Sequence, residues 1–248
     1  MSIFNSRGVI IKSKNIGEND KLLWIFTEKF GKISVIAKGA KKSRSKLMAS
    51  TLNFCFGNYT LFKGKSMFSL NEGEIIDSFQ EFLSDLDRIS YASYLCELID
   101  ISMVEGESNR PLFKEILTSF YLIKNEVGEI ETLVRAFEIK LLNLTGYGLN
   151  TDHCVKCRKK LNTSNYISYE YYGAICTDCE RNNGKFVSYA AFNTLKFLSK
   201  LQLDKIYRVN LNHEIKDEIY SILSDLIFQS YGKKPKSLEI LNSLGRND

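Results

Sequence analysis

A chain of 248 residues with 44% hydrophobic and 25% charged content is long enough for one large or two small packed domains. It has no apolar run near the roughly 18 residues a membrane span needs, and its 15 glycines, two prolines and absence of repeats exclude long linkers and low complexity. The net charge of +5 is modest but segregated: residues 1–80 carry a net +7, 81–150 a net −6, 151–180 balance, and 181–248 carry a net +4, an asymmetry that points to a polyanionic partner.

Residues 7–77 read as five short strands. Arg7–Lys12 is β-branched, Lys21–Thr27 is apolar with aromatics, and Gly31 turns the chain into Lys32–Lys38, where Ile33, Val35 and Ala37 take one face. Phe54–Phe62, a Lys63-Gly64-Lys65 turn and Met67–Leu70, continuing to Ile76, complete the set. Five strands in so short a stretch manage their edges best by closing into a barrel. An OB-fold is the leading expectation and an SH3-like barrel the rival. At Asp77 the hydrophobic period changes from two to 3.6. Ser78 and Glu81 read as a capping box for a helix reaching about Val104, and Asn109-Arg110-Pro111 opens a second helix to about Val127. A third, over 129–145, is apolar on more than one side; two more follow over 188–201 and 213–230. The expected architecture is α+β and multi-domain: a barrel over 1–78, then a helical domain over 79–248 with an insertion at about 150–183.

That insertion holds Cys154-Val-Lys-Cys157, eighteen further residues, then Cys176-Thr-Asp-Cys179. Two C-x-x-C pairs at this separation form a zinc-ribbon pattern, in which each pair presents two thiolates from one tight turn. Four thiolates close a tetrahedron, so the expected cofactor is one structural zinc ion. Two disulfides or four unrelated thiols are the alternatives, and His153 is a neighbour rather than a ligand. The segment Tyr166–Tyr172 reads as a hairpin carrying the second pair. Cys55 and Cys96 stand alone among apolar residues, and this usage, with no signal-peptide pattern at the N-terminus, fits a reducing cytoplasm.

From Lys29 to Asn71 there are nine basic residues and no acid, and Lys32, Lys38, Lys41, Lys42, Arg44 and Lys46 fall within fifteen positions. Such cations neutralise phosphates, and the glycine and serines of the loop add hydrogen-bond donors. Trp24, Phe26, Tyr59, Phe62 and Phe68 offer rings for base stacking, although most are expected in the core. The bland alternative is a solvated loop; the lack of internal acidic partners favours nucleic acid. No phosphate-cradle, nucleophile-elbow or metalloprotease motif is present, and two histidines leave little material for a histidine-based catalytic site.

Arg7–Ile11, Gly17-Glu-Asn-Asp-Lys21, Phe26-Thr27 with Gly31, Val35-Ile-Ala-Lys-Gly-Ala40, Phe137–Leu142 with Thr145-Gly-Tyr-Gly148, the cysteine pairs and Lys233–Leu238 follow one another in order. In that order and spacing they resemble the RecO family of bacterial recombination mediators. Together they span essentially the whole chain. The resemblance implies an N-terminal OB-fold, a helical domain with a zinc-finger-like insertion, and no covalent catalysis. It implies binding of single- and double-stranded DNA, strand annealing, and work with RecR to load RecA onto DNA coated by single-strand-binding protein, at the bacterial nucleoid, without membrane or small-molecule substrate. Docking of that protein's acidic C-terminal tail is expected on the helical domain at Arg135, Phe137 and Lys140, with an Arg135 ion pair to Glu131 or Glu138 as the alternative. Some family members lack the cysteines, so the metal is expected to serve the fold. A zinc-ribbon adaptor that binds RNA or DNA without annealing is the runner-up function; a purely structural adaptor and a hydrolase are weaker rivals.

Overall fold

The computed structural model describes residues 3–64 and 67–237. Lys65 of the expected turn and Leu238 of the last resembling stretch lie outside them. The described residues form two compact units, one within 3–114 together with 235–237 and the other 115–234.

In the first unit, strands β1 (Ile3–Ile16), β2 (Asp20–Thr27), β3 (Gly31–Ala37), β4 (Phe56–Lys63) and β5 (Phe68–Asp77) close a barrel in the order β1-β2-β3-β5-β4. All neighbouring pairs are antiparallel except β3 and β5, where Val35 faces Phe68 in parallel register. This five-stranded Greek-key closure is that of an OB-fold, which decides against the SH3-like alternative. The strands alternate as their sequences require: Ile33, Val35 and Ala37 are buried while Lys32, Ser34 and Ile36 face outward. Ile10, Leu23, Ile25, Val35, Tyr59 and Leu61 fill the interior. The tyrosine hydroxyl donates to the carbonyls of Ser50 and Cys55 at 3.1 Å, so its burial leaves no orphaned donor. Gly31 must be glycine. Its φ is +63° and a Cβ there would collide with the Glu107 carbonyl.

The expected capping box at Ser78 and Glu81 does not form. Phe79 takes a left-handed φ of +50° and a 3-10 turn follows over Gln80–Ser84. Helix α1 (Leu86–Ser102) starts only after Asp85, whose Oδ1 accepts the Arg88 amide at 2.9 Å. Phe79 and Phe82, both fully buried, stack at 5.4 Å, and that aromatic packing overrides the local helical signal.

Helix α2 (Arg110–Lys124) leads out of the first unit. In the second unit α3 (Ile130–Leu144), α4 (Tyr189–Lys200) and α5 (His213–Tyr231) pack on one another. Residues 132–139 of α3 are all buried, as its two-sided apolar pattern predicts. Between α3 and α4 lies a small sheet of β6 (Tyr166–Ser168), β7 (Gly173–Ala174) and β8 (Gly184–Phe186), with β6 central. Its β6–β7 hairpin is the expected one; β8 and a 3-10 turn over Leu203–Arg208 carry no clear periodicity. Among the described residues no helix is long and apolar enough to cross a membrane.

Candidate metal centre and nucleic-acid interface

The two cysteine pairs converge at the edge of the small sheet. The Cys154 amide donates to the Lys159 carbonyl at 2.8 Å and the Arg158 amide to the Cys154 carbonyl at 2.9 Å, closing the first knuckle. The Val155 amide donates to the Ala174 carbonyl at 2.9 Å, joining that knuckle to β7 and hence to Cys176. All four Sγ atoms lie within 4.8 Å of one another, and Cys157 and Cys176 are 3.7 Å apart. A tetrahedron with metal–sulfur bonds of about 2.3 Å has edges of about 3.8 Å, so the spacing fits a tetrathiolate centre. The sulfurs are too far apart for the disulfide alternative, and all six cysteines are free thiols.

Burial is the largest single influence on Cys154 and opposes its ionisation, but the amides of Cys157, Cys176 and Lys156 together outweigh it and lower its pKa to about 6. Cys179 goes the other way, to about 12, because Cys176 and Cys157 hold its proton in hydrogen bonds. The opposite shifts of Cys154 and Cys179 show that these two thiols do not titrate independently of their neighbours. Arg181 completes the knob. Its Nε donates to the Cys176 carbonyl at 3.2 Å, and its guanidinium lies 5.6 Å from the Tyr166 ring centroid and 5.7 Å from that of Phe186. The spacing of the cysteines gave no sign of this arginine.

In the barrel unit, the basic loop leaves β3 at Lys38 and is a run of hydrogen-bonded turns rather than the slack segment its composition suggests. The Gly39 amide donates to Asp20 Oδ1 at 2.7 Å and the Lys41 amide to the Asn19 carbonyl at 2.9 Å, tying the loop to the β1–β2 turn. The Lys42 and Ser45 amides continue the turns through the carbonyls of Gly39 and Lys42. Lys38, Lys41, Lys42, Arg44 and Lys46 are all exposed along this scaffold. Lys21 lies beneath: burial lowers its pKa most, and the positive charge of Lys41 lowers it further. It was absent from the basic set read from sequence, although the stretch Gly17–Lys21 singled out its neighbourhood.

Lys32 stands apart from the other five. Its side chain is 13% exposed, and its Nζ binds the Asp100 carbonyl and, at 3.1 Å, Asp100 Oδ1. Of the candidate stacking rings, Phe26 and Tyr59 are core residues, while Trp24, Phe62 and Phe68 are half-buried. Arg135, Phe137 and Lys140 share α3 but do not form a surface. Phe137 is fully buried, Arg135 pairs with Glu138 at 2.7 Å inside the unit, and Lys140 Nζ donates to the Ser199 carbonyl at 3.0 Å. The expected docking contact at Arg135 is thus replaced by the ion pair that was its alternative, because the two-sided apolar pattern of α3 carries this arginine inward.

The chain matches known proteins along nearly its whole length. Residues 1–79 match the family model described as recombination protein O N terminal, and residues 83–239 the one described as recombination protein O C terminal. A protein named DNA repair protein RecO from Clostridium acetobutylicum is 66% identical over 242 residues, 98% of each chain. One so named from Clostridium novyi is 52% identical over 248 residues, covering 100% of this chain and 97% of that one. A third, from Acetivibrio thermocellus, is 29% identical over 248 residues, 99% of each chain.

Proposed function

Because the chain belongs to the RecO family of DNA repair proteins, we propose that it is a recombination mediator that binds single- and double-stranded DNA and anneals complementary strands. In this reading it acts with RecR to help load RecA onto DNA coated by single-strand-binding protein, in the bacterial cytoplasm at the nucleoid. One observation carries the DNA-binding part: five exposed cations with no acid among them, on a loop whose backbone is fixed to an OB barrel. Fixed amides and mobile basic heads suit a phosphate backbone of any sequence. DNA binding is assigned to residues 1–78, and partner contacts, including the acidic tail of single-strand-binding protein, to residues 79–248. Arg135 and Phe137 are enclosed, so that tail would meet other side chains.

Cys154, Cys157, Cys176 and Cys179 would hold one zinc ion, the metal that soft tetrahedral sulfur ligation favours. Four protein ligands leave no position for a reacting water, so the ion would supply structure, and the proposed activity includes no covalent chemistry. The test is strand annealing on DNA coated with cognate single-strand-binding protein. Wild-type protein is expected to anneal the coated strands, and a folded Lys41→Gln/Lys42→Gln/Arg44→Gln variant to lose most of that activity. DNA binding without annealing would leave the zinc-ribbon adaptor as the function; an unimpaired variant would remove the loop from it.

A further inference from the structure

The first knuckle of the metal centre carries Lys156, Arg158, Lys159 and Lys160 in five positions, with no acid between Cys154 and Leu161. Arg158, Lys159 and Lys160 are exposed, and the Lys156 side chain is 26% exposed. Lys159 pairs with Asp178 at 3.1 Å and Lys156 with Glu180 at 3.9 Å, but these partners are two-thirds exposed or more and hold the cations weakly. Arg158 and Lys160 form no ion pair among the described residues.

Arg158 is also strained. It sits in the left-handed region at φ +64°, in a turn that glycine would close without penalty. Tyr171, 46% exposed, stands beside the knuckle with Lys156 Nζ 5.9 Å from its ring. A simpler role for the cations would be to offset the net negative charge of a divalent ion among four thiolates. Arg181, bound to the Cys176 carbonyl, is placed to serve that end, and charge compensation alone does not call for an arginine at a glycine-favouring position.

We infer that the outer face of this knuckle, led by Arg158 and Lys160 with Tyr171 at its side, is a second nucleic-acid-binding surface. It takes the phosphate backbone of a DNA strand other than the one on the loop over 38–46. The inference rests on the DNA-binding role proposed above and says where a second strand goes, since annealing requires two strands to be held at once.

The strain at Arg158 gives the test its resolving power. Arg158→Gly relieves the backbone, so thermal stability and zinc content should hold or rise while DNA contact falls. A structural arginine would behave in the opposite way. The assay loads full-length protein on an immobilised oligonucleotide and measures capture of a second, labelled, non-complementary strand. Arg158→Gly/Lys160→Gln should reduce second-strand capture several-fold, leave first-strand affinity within about twofold, and lower the salt slope of capture by about 1.4 for two lost phosphate contacts. Unchanged capture by this variant with its zinc retained overturns the inference. Should the variant lose zinc, Arg158→Lys and Arg158→Gln are compared instead: capture kept by lysine and lost by glutamine supports the surface, and equal capture by both overturns it. Failure of the loop variant to lose first-strand binding would count against the loop alone, because this readout is the second strand.

Discussion

Arg135 and Glu138 meet inside the helical unit at 2.7 Å, with side chains 4% and 0% exposed and the Tyr220 ring centroid 4.6 Å from the guanidinium. A buried pair of this kind adds little net stability while intact, because both charges have left water, but losing one partner removes the counterion the other is packed against. Glu138→Ala is therefore expected to lower unfolding free energy by about 3–5 kcal/mol, and Arg135→Met/Glu138→Leu to recover most of it, as read by urea denaturation. An Arg135→Ala variant would show the same loss, so reduced partner binding by it would report folding rather than contact. Asp100 is a milder case. Burial raises its pKa, but Lys32 and Lys12 outweigh burial and hold the carboxylate below its ordinary value. A depressed folded pKa stabilises above the unfolded value of about 3.9, and the contribution disappears as pH falls through the folded value. Asp100→Asn should accordingly lower the melting temperature at pH 7, and by less near pH 3. Equal effects at both values would mean that packing, not charge, is lost.

The element that decides DNA affinity in this account is the loop between β3 and β4. Its backbone is fixed by Asn19 and Asp20 while its cations reach into solvent, so substituting the cations should spare the fold. Neutralising Lys41, Lys42 and Arg44 together should flatten the dependence of log affinity on log salt by about two, at roughly 0.7 for each phosphate on a single strand. An unchanged slope in a folded variant returns the loop to plain solvation. The loop was legible in the sequence because its signal is local: five cations without an acid need no tertiary knowledge. The same holds for α3, α4 and α5, whose apolar period located them within a residue or two, and for the cysteine pairs. What escaped reading is long-range. The parallel β3–β5 pairing that makes the barrel an OB-fold depends on closure, which no single strand encodes. Asp85 displaced the Ser78 cap because Phe79 and Phe82 are drawn into the core. Lys32 and Arg135 looked available because a charge carries no mark of which face of its strand or helix will be covered.

At the scale of the molecule, the four-cysteine cluster and the barrel lie in different compact units, so loss of a metal held by the cluster should affect them differently. Ligation of a structural zinc contributes on the order of 10 kcal/mol apparent to the fold around it. Strong chelation or Cys157→Ser should therefore weaken the thermal transition of the helical unit seen by far-ultraviolet circular dichroism. The fluorescence transition of Trp24, the one tryptophan of the chain and a residue of β2, should move much less. Coincident shifts of both probes would show that the units melt together. The barrel unit has a further peculiarity at Glu97 of α1. Its carboxylate accepts the Lys236 amide at 2.8 Å, the Ser237 amide at 2.9 Å and the Ser237 hydroxyl at 2.6 Å, so a segment from beyond the helical unit is fastened to the first one. Residue 236 is synthesised 139 residues after its partner. At roughly 5–20 residues per second, the ribosome leaves Glu97 without these donors for on the order of ten seconds. The nascent barrel must therefore persist unfastened while the whole helical unit is made, and its final fastening follows synthesis of that unit.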